Sequence, residues 1–242
     1  MSAVTPFPAD VRPLLEVRQL SQVYNLRRQK LLGPRPTLKV LDSIDFSVRP
    51  GEAVGLVGES GSGKTTLTRM LTGVERPGRG QVLYDGVDVW TGGEAHKKLF
   101  RRSVQVVLQN PRSSLDPRMR VGTSLLEPLR SLRIEGDHAA RVLEVLDQVG
   151  LDKNALERFP HEFSGGQLQR IAIARALMPG PKVLIADEPV SALDVSIQAQ
   201  VLNLLKDLVR DLGLGLVFIA HDLSVVAYTT SKVYVMSSGK IV

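Results

Sequence analysis

Cysteine is absent from this 242-residue chain. That excludes a disulfide framework, a thiolate metal site and a cysteine nucleophile, and it agrees with a reducing compartment. Aromatic residues are scarce at 5%, and the single tryptophan, Trp90, reads as core or loop packing. Long hydrophobic runs are missing too: Val183 to Ala186 and Leu214 to Ala220 fall far short of the roughly 18–20 residues that span a bilayer, so the chain cannot cross a membrane alone. Met1 to Pro13 carries three prolines and an aspartate but no basic start followed by an apolar core, and reads as a loose leader rather than a secretory signal. His96, His138 and His161 are scattered without ligand spacing, which disfavours a structural metal. No solenoid repeat, low-complexity tract or sustained heptad pattern is present.

What remains is the composition of an ordinary folded domain, 43% hydrophobic and 23% charged, long enough for one domain carrying an inserted subdomain. The net charge is +6, part of it in Arg27, Arg28, Lys30, Arg35 and Lys39. This cluster reads as a solvated basic loop facing anionic lipid or nucleotide, ahead of a nucleic-acid tail. Short β-rich apolar runs alternate with helical periodicity, which predicts an α/β fold with a largely parallel sheet. Strands are expected at Leu14 to Val17, Ile44 to Val48, Ala53 to Val57, Gln81 to Tyr84, Val104 to Leu108, Val183 to Ala186 and Leu216 to Ala220. A helix is expected from about Gly63 to Thr72, and a glycine-rich connection around Gly92 and Gly93. From 110 to 163 strand-like runs vanish; Val142, Val145, Leu146 and Val149 form a helical stripe, so this stretch is a candidate helical subdomain. A long amphipathic helix follows the next strand, with Ile197, Val201, Leu204, Leu205, Leu208 and Leu212 on one face.

Gly58-Glu59-Ser60-Gly61-Ser62-Gly63-Lys64-Thr65 fits G-x-x-x-x-G-K-[ST], directly after an expected strand and before an expected helix. A loop this rich in glycine can turn its backbone N–H groups around a β-phosphate at the positive end of a helix. Lys64 would reach the β- and γ-phosphates, and Thr65, ahead of its neighbour Thr66, would put a hydroxyl on Mg²⁺. Asp187 ends the apolar strand Val183 to Ala186 and is the natural second metal ligand; Glu188 beside it could polarise a water attacking the γ-phosphate. Ser164-Gly165-Gly166-Gln167, ahead of the helix Leu168 to Leu177, supplies a hydroxyl and free N–H groups at a second helix N-terminus. Two anion sites in one chain are reconciled most simply by two ATPase subunits facing each other, each nucleotide lying between the loop of one and the serine and glycines of the other.

With these residues on view the sequence resembles the ATP-binding cassette superfamily over nearly its whole length. Phe163 to Gln167 is similar to the family signature, with Phe where Leu is commoner; Ser191-Ala192-Leu193-Asp194 to the loop that contacts the opposing subunit; His221 to the switch histidine. Gln109 resembles the glutamine that meets Mg²⁺ and reports to the helical subdomain, and Tyr24 the aromatic that stacks on adenine. The resemblance implies a P-loop, RecA-like parallel core over 14–242 with an antiparallel β subdomain and the helical insertion. It implies ATP and Mg²⁺ as cofactors. Glu188, His221, Gln109 and Lys64 would act in catalysis; Tyr24, Gly58, Glu59, Ser60, Gly61, Ser62, Gly63, Lys64, Thr65, Thr66, Ser164, Gly165, Gly166, Gln167 and Asp194 would hold nucleotide; and Thr65, Gln109 and Asp187 would hold metal.

Several strings narrow the resemblance to ATPase subunits of oligopeptide, dipeptide and nickel importers: Gln109-Asn110-Pro111, Ser114 to Arg118, Glu127-Pro128-Leu129, Phe159 to Phe163 and Ala186 to Ser196. Leu38 to Val48 after the basic insertion resembles the second of the two different ATPases such importers use. The implied partners are a second ATPase subunit, two membrane permeases and, indirectly, an extracytoplasmic solute-binding protein, with no nucleic acid. The implied place is the cytoplasmic face of a bacterial membrane. The competing function is a soluble cassette ATPase of a phosphonate-utilisation or other cytosolic complex; a non-hydrolysing regulatory subunit would need a degraded motif. Members of the importer group continue tens of residues past the final hairpin, whereas this sequence stops at Gly239-Lys240-Ile241-Val242, so a truncated form without the family's tail is expected.

Overall fold

The computed structural model describes residues 11–26 and 35–242. Met1 to Asp10 of the expected leader, and Arg27, Arg28 and Lys30 of the basic loop, lie outside the described residues. In chain order the elements are β1 (Leu15–Asn25), β2 (Thr37–Val48), β3 (Ala53–Gly58), α1 (Lys64–Leu71), β4 (Arg79–Tyr84), β5 (Val87–Asp88), α2 (Gly93–Ser103), β6 (Val104–Val107), α3 (Val121–Ser131), α4 (His138–Gln148), α5 (Gly165–Leu177), β7 (Val183–Asp187), α6 (Val195–Leu212), β8 (Gly215–Ala220), α7 (Leu223–Thr229), β9 (Lys232–Ser237) and β10 (Lys240–Ile241). Between β6 and α5 the chain forms α3, α4 and three short 3₁₀ turns, Pro111–Ser114, Lys153–Glu157 and Pro160–Glu162.

Two sheets result. One is antiparallel, in the order β2-β1-β4-β5; the other has the order β10-β9-β3-β8-β7-β6, with β9, β3, β8, β7 and β6 parallel and β10 closing a hairpin on β9. The larger sheet is covered on both sides, which is why its strands read as continuous apolar runs. Successive residues take opposite faces. Leu184, Ala186, Leu216, Phe218 and Ala220 join a core with α3, α4, α5 and α6, while Val183, Ile185, Val217, Ile219, Val54 and Leu56 join another with the antiparallel sheet and α1. Because the central strands run parallel, β3, β7 and β8 deliver Gly58, Asp187 and the residue after Ala220 to the same edge of the molecule.

β1 and β2 are far longer than the expected Leu14 to Val17 and Ile44 to Val48. Register shifts between Val17 and Leu20, Leu20 and Gln22, and Gln22 and Val23 break the alternation on which a period of two depends. At the bulge Gln19 takes a φ of 47°, and Asp45 holds it by accepting from its backbone N–H at 2.9 Å and its side-chain amide at 2.5 Å. The connection read from Gly92 and Gly93 leads straight into α2, whose sequence GEAHKKLFRRS is so charged that its apolar face is anchored chiefly by Phe100, buried against Tyr84 with ring centroids 6.0 Å apart. Leu212, placed by periodicity on the buried face of α6, is exposed because the helix ends there at Gly213. Trp90 packs against the core shared by the two sheets.

Phe100 therefore fastens α2 almost alone. Phe100→Ala is expected to cost about 3–5 kcal/mol in urea unfolding, and Leu99→Ala, one residue away and exposed, less than about 0.5 kcal/mol. Equal costs would mean that α2 is held by something else.

Candidate active site

The loop after β3 carries the glycine pattern that a phosphate cradle requires. Gly63, the N-cap of α1, takes a φ of 107°, and a Cβ there would stand 2.9 Å from the Val40 carbonyl and 2.8 Å from the Leu41 side chain. Only glycine satisfies both the left-handed backbone and the close approach. The loop then enters α1 with the first-turn N–H groups pointing outward, the positive end of the helix. Lys64 folds back over the loop, its ammonium donating to the carbonyls of Gly58 at 2.5 Å and Glu59 at 2.9 Å.

Across from it stand the ends of the parallel strands. A cleft of ≈ 420 Å³ is lined by Ser60, Gly61, Gly63, Lys64, Thr65, Thr66, Gln109, Asp187, Glu188 and His221, together with Val40. The structure thus brings together the loop, both acidic residues, the glutamine and the histidine from four separated stretches of sequence. Burial first, and then the charge of Glu188, raise the Asp187 carboxyl above the usual carboxylate range, with Lys64 pulling the other way. Glu188 takes a φ of 47°, a conformation that non-glycine residues rarely adopt, and its N–H donates to the Ile219 carbonyl at 2.8 Å. Its two carboxylate oxygens are addressed from opposite sides. The Gln109 amide donates to Oε2 at 2.9 Å, and His221 Nδ1 lies 3.5 Å from Oε1. A carboxylate aimed in this way, at the mouth of an anion cradle, is placed to accept a proton from water.

Other expected residues lie elsewhere. Ser164 caps α5 in a capping box, its Oγ accepting from the Gln167 N–H at 3.3 Å while the Gln167 side chain accepts from the Ser164 N–H at 3.1 Å. Asp194 caps α6, accepting from the Ile197 N–H at 3.0 Å. Ser164, Gly165 and Gln167 are exposed and do not line the cleft. Tyr24 also stands outside the lining, at the edge of α1, where its hydroxyl donates to Glu75 at 2.5 Å. Ser62 and Gly58 belong to the loop without facing the cleft. Ring nitrogens of His96 and His138 lie 3.1 and 2.7 Å from the backbone carbonyls of Val87 and Ile134, and His161 stacks on Phe159 at 5.8 Å.

Ser191, expected only as the start of the loop that meets an opposing subunit, also belongs to this site. Its hydroxyl donates to the Glu188 carbonyl at 3.1 Å and accepts from Gln109 at 3.3 Å, closing the turn that holds Glu188. A serine three residues past the acid is the local signal for such a turn. Glu75, which holds Tyr24, left no signal in the linear pattern.

The chain is similar to known proteins over most of its length. Residues 41–191 match the family described as ABC transporter. The dipeptide transport ATP-binding protein DppF of Escherichia coli is 47% identical over 234 residues, covering 96% of this chain and 70% of its own length. The cbiO1 structure from Clostridium perfringens, part of the ABC transporter complex cbiONQ, superposes with a TM-score of 0.79 at 26% identity, over 95% of this chain and 87% of that one. A dimeric ATP-binding cassette bound to ADP and Pi in a post-hydrolysis state gives 0.78 at 26% identity, over 94% and 96%.

The raised Asp187 pKa has a stability consequence of definite sign. A carboxyl whose folded pKa lies above its unfolded value favours the fold while protonated and loses that contribution as pH rises through the folded value. Asp187→Asn should therefore melt a few degrees higher than the parent at pH 8 in chelator, with the gap closing as pH falls toward 4. A gap that widens on acidification would reverse the assignment.

Proposed function

Because this chain belongs to the ABC transporter family, we propose that it is the ATP-binding and hydrolysing subunit of an importer that takes up oligopeptides, dipeptides or a related small solute. The single observation that carries the reading is the joining of Lys64, Asp187, Glu188, Gln109 and His221 around one cleft, while Ser164 to Gln167 faces outward. A second ATPase subunit presenting its own signature serine and glycines would close the cleft, and this chain's signature would close the partner's. Asp194, on the loop beside Gly165, would lie in the same contact.

Roles follow from position. Lys64 neutralises γ-phosphate charge, Glu188 orients or deprotonates the attacking water, and His221 steadies the geometry from the far side of the carboxylate. Gly58 to Thr66 cradle the phosphates, and Tyr24 stacks on the adenine. Thr65, Gln109 and Asp187 offer a hydroxyl, an amide oxygen and a carboxylate, an all-oxygen set suited to Mg²⁺. The Gln109 amide nitrogen is committed to Glu188 and Ser191, so its oxygen is the atom left for a cation. Bound there, Mg²⁺ would supply charge neutralisation at the phosphate oxygens.

Residues 110–163 act as the helical subdomain and carry ATP-driven closure to two permease subunits, fed by an extracytoplasmic solute-binding protein. A groove of ≈ 290 Å³ between Gln105 to Leu108 and the α3 residues Glu127, Pro128 and Ser131 supports contact at that point. No helix among the described residues is long and apolar enough to cross a membrane, so attachment at its cytoplasmic face would run through the permeases.

Glu188→Gln is expected to bind ATP as the parent does and to lower turnover by about 10²–10⁴-fold. Purified from its host's membranes with ATP and Mg²⁺, the same variant should bring two permeases and a second cassette ATPase. Parent-level turnover would remove Glu188 from its role, and purely soluble partners would overturn the transport reading.

A further inference from the structure

The end of α1 is fixed with unusual thoroughness for a surface turn. Gly73 takes a φ of 68°, its N–H bonding to the Met70 carbonyl at 3.0 Å, while the Val74 N–H bonds to Arg69 at 2.8 Å. This pair of bonds closes the helix and throws the chain sideways. The Glu75 N–H also reaches the Arg69 carbonyl at 3.1 Å, and a Cβ on Gly73 would stand 2.8 Å from the Phe100 ring, so the turn can neither slide nor swing. Glu75 is thereby held under β1.

Three side chains converge on that carboxylate. Tyr24 donates its hydroxyl to Oε1 at 2.5 Å, Gln22 donates its amide to the same oxygen at 3.0 Å, and Arg69 Nε lies 3.3 Å from Oε2. Gln22 is itself anchored, its carbonyl oxygen accepting from the Gly78 N–H at 2.7 Å. The Glu75 side chain is only 17% exposed. Burial and the Glu75 contact raise the Tyr24 hydroxyl pKa, and the Thr66 side chain is near enough to lower it. The ring of Tyr24 is thus tied to the helix that carries the phosphate loop, although it sits on the antiparallel sheet.

We propose that Glu75 is a positioning residue for the nucleotide base: by clamping the Tyr24 hydroxyl it fixes the ring at a set height beside α1, so that base and phosphates are read from one rigid unit. The inference rests on the reading of Tyr24 as the base-stacking residue and adds the residue that holds it. Without Glu75 the tyrosine, near the end of β1 where only β2 pairs with it, has free rotamers, and part of the stacking energy is spent in ordering it. The phosphate cradle, built from the loop before α1, is untouched.

The test measures dissociation constants of the full chain by calorimetry with two probes, ATP and inorganic tripolyphosphate, which carries the phosphates and no base. Glu75→Ala and Glu75→Gln should weaken ATP by about three- to tenfold, and Tyr24→Leu, which removes the stacking ring itself, by at least as much. Tripolyphosphate should bind all three variants as it binds the parent. Adding Glu75→Gln to Tyr24→Leu should change ATP binding no further, the signature of two residues acting as one. Loss of ATP and tripolyphosphate affinity together in Glu75→Gln would assign Glu75 to the shape of α1 and overturn the proposal. Parent-level ATP binding by Glu75→Gln, with Tyr24→Leu impaired, would overturn it while leaving stacking intact. Parent-level binding by Tyr24→Leu would remove the stacking reading itself.

Discussion

Two adjacent carboxylates, Asp187 and Glu188, are held at the end of a buried strand opposite one lysine, and this crowding of charge is the constraint around which the molecule is organised. Left alone it is unfavourable: burial and the mutual repulsion of the pair raise the Asp187 pKa, and Glu188 adopts a left-handed backbone. The fold tolerates it because β7 is paired on both sides, by β6 and β8, and both of its faces are packed. Strain of this kind persists where surrounding structure over-determines it, and it makes a site hungry for compensating charge. The divalent cation proposed at Asp187 would supply that compensation.

The same logic explains why the chain holds two helix N-termini of phosphate-binding character and brings only one to the cleft. The α1 terminus, with its glycine loop and Lys64, faces the acidic pair; the α5 terminus, capped reciprocally by Ser164 and Gln167, faces away. One first-turn donor of α5, the Gln167 N–H, is satisfied locally by Ser164, and Ser164 and Gly165 remain open to an incoming surface. In the proposed pairing, the nucleotide would be the joint between two halves, so that its binding energy favours subunit closure.

Much of this was legible in the sequence, and for physical reasons. The loop from Gly58 to Thr65 could be read because a tight turn around phosphate needs glycine and lysine at fixed spacing along one continuous stretch. Strands β3, β7 and β8 could be read because burial on both faces leaves unbroken apolar runs. β1 and β2 were seen only at their ends, since bulges at Gln19 and near Gln22 interrupt the alternation. α2 was hidden because one phenylalanine does the anchoring in a helix otherwise full of charge. Glu75 and the Ser191–Gln109 contact escaped for a different reason. Each pairs residues far apart in the chain, 51 positions from Tyr24 in one case and 82 from Gln109 in the other, and such pairings have no linear signature.

The claim that orders all of this is that Lys64 and the strand-end acids form the seat of ATP. It is tested most directly by measuring ATP affinity of Lys64→Ala by calorimetry in Mg²⁺, alongside the parent. The account predicts binding weakened by at least about tenfold, the loss expected when a charge-assisted contact to phosphate is removed. Affinity within about twofold of the parent would contradict it and place the nucleotide elsewhere.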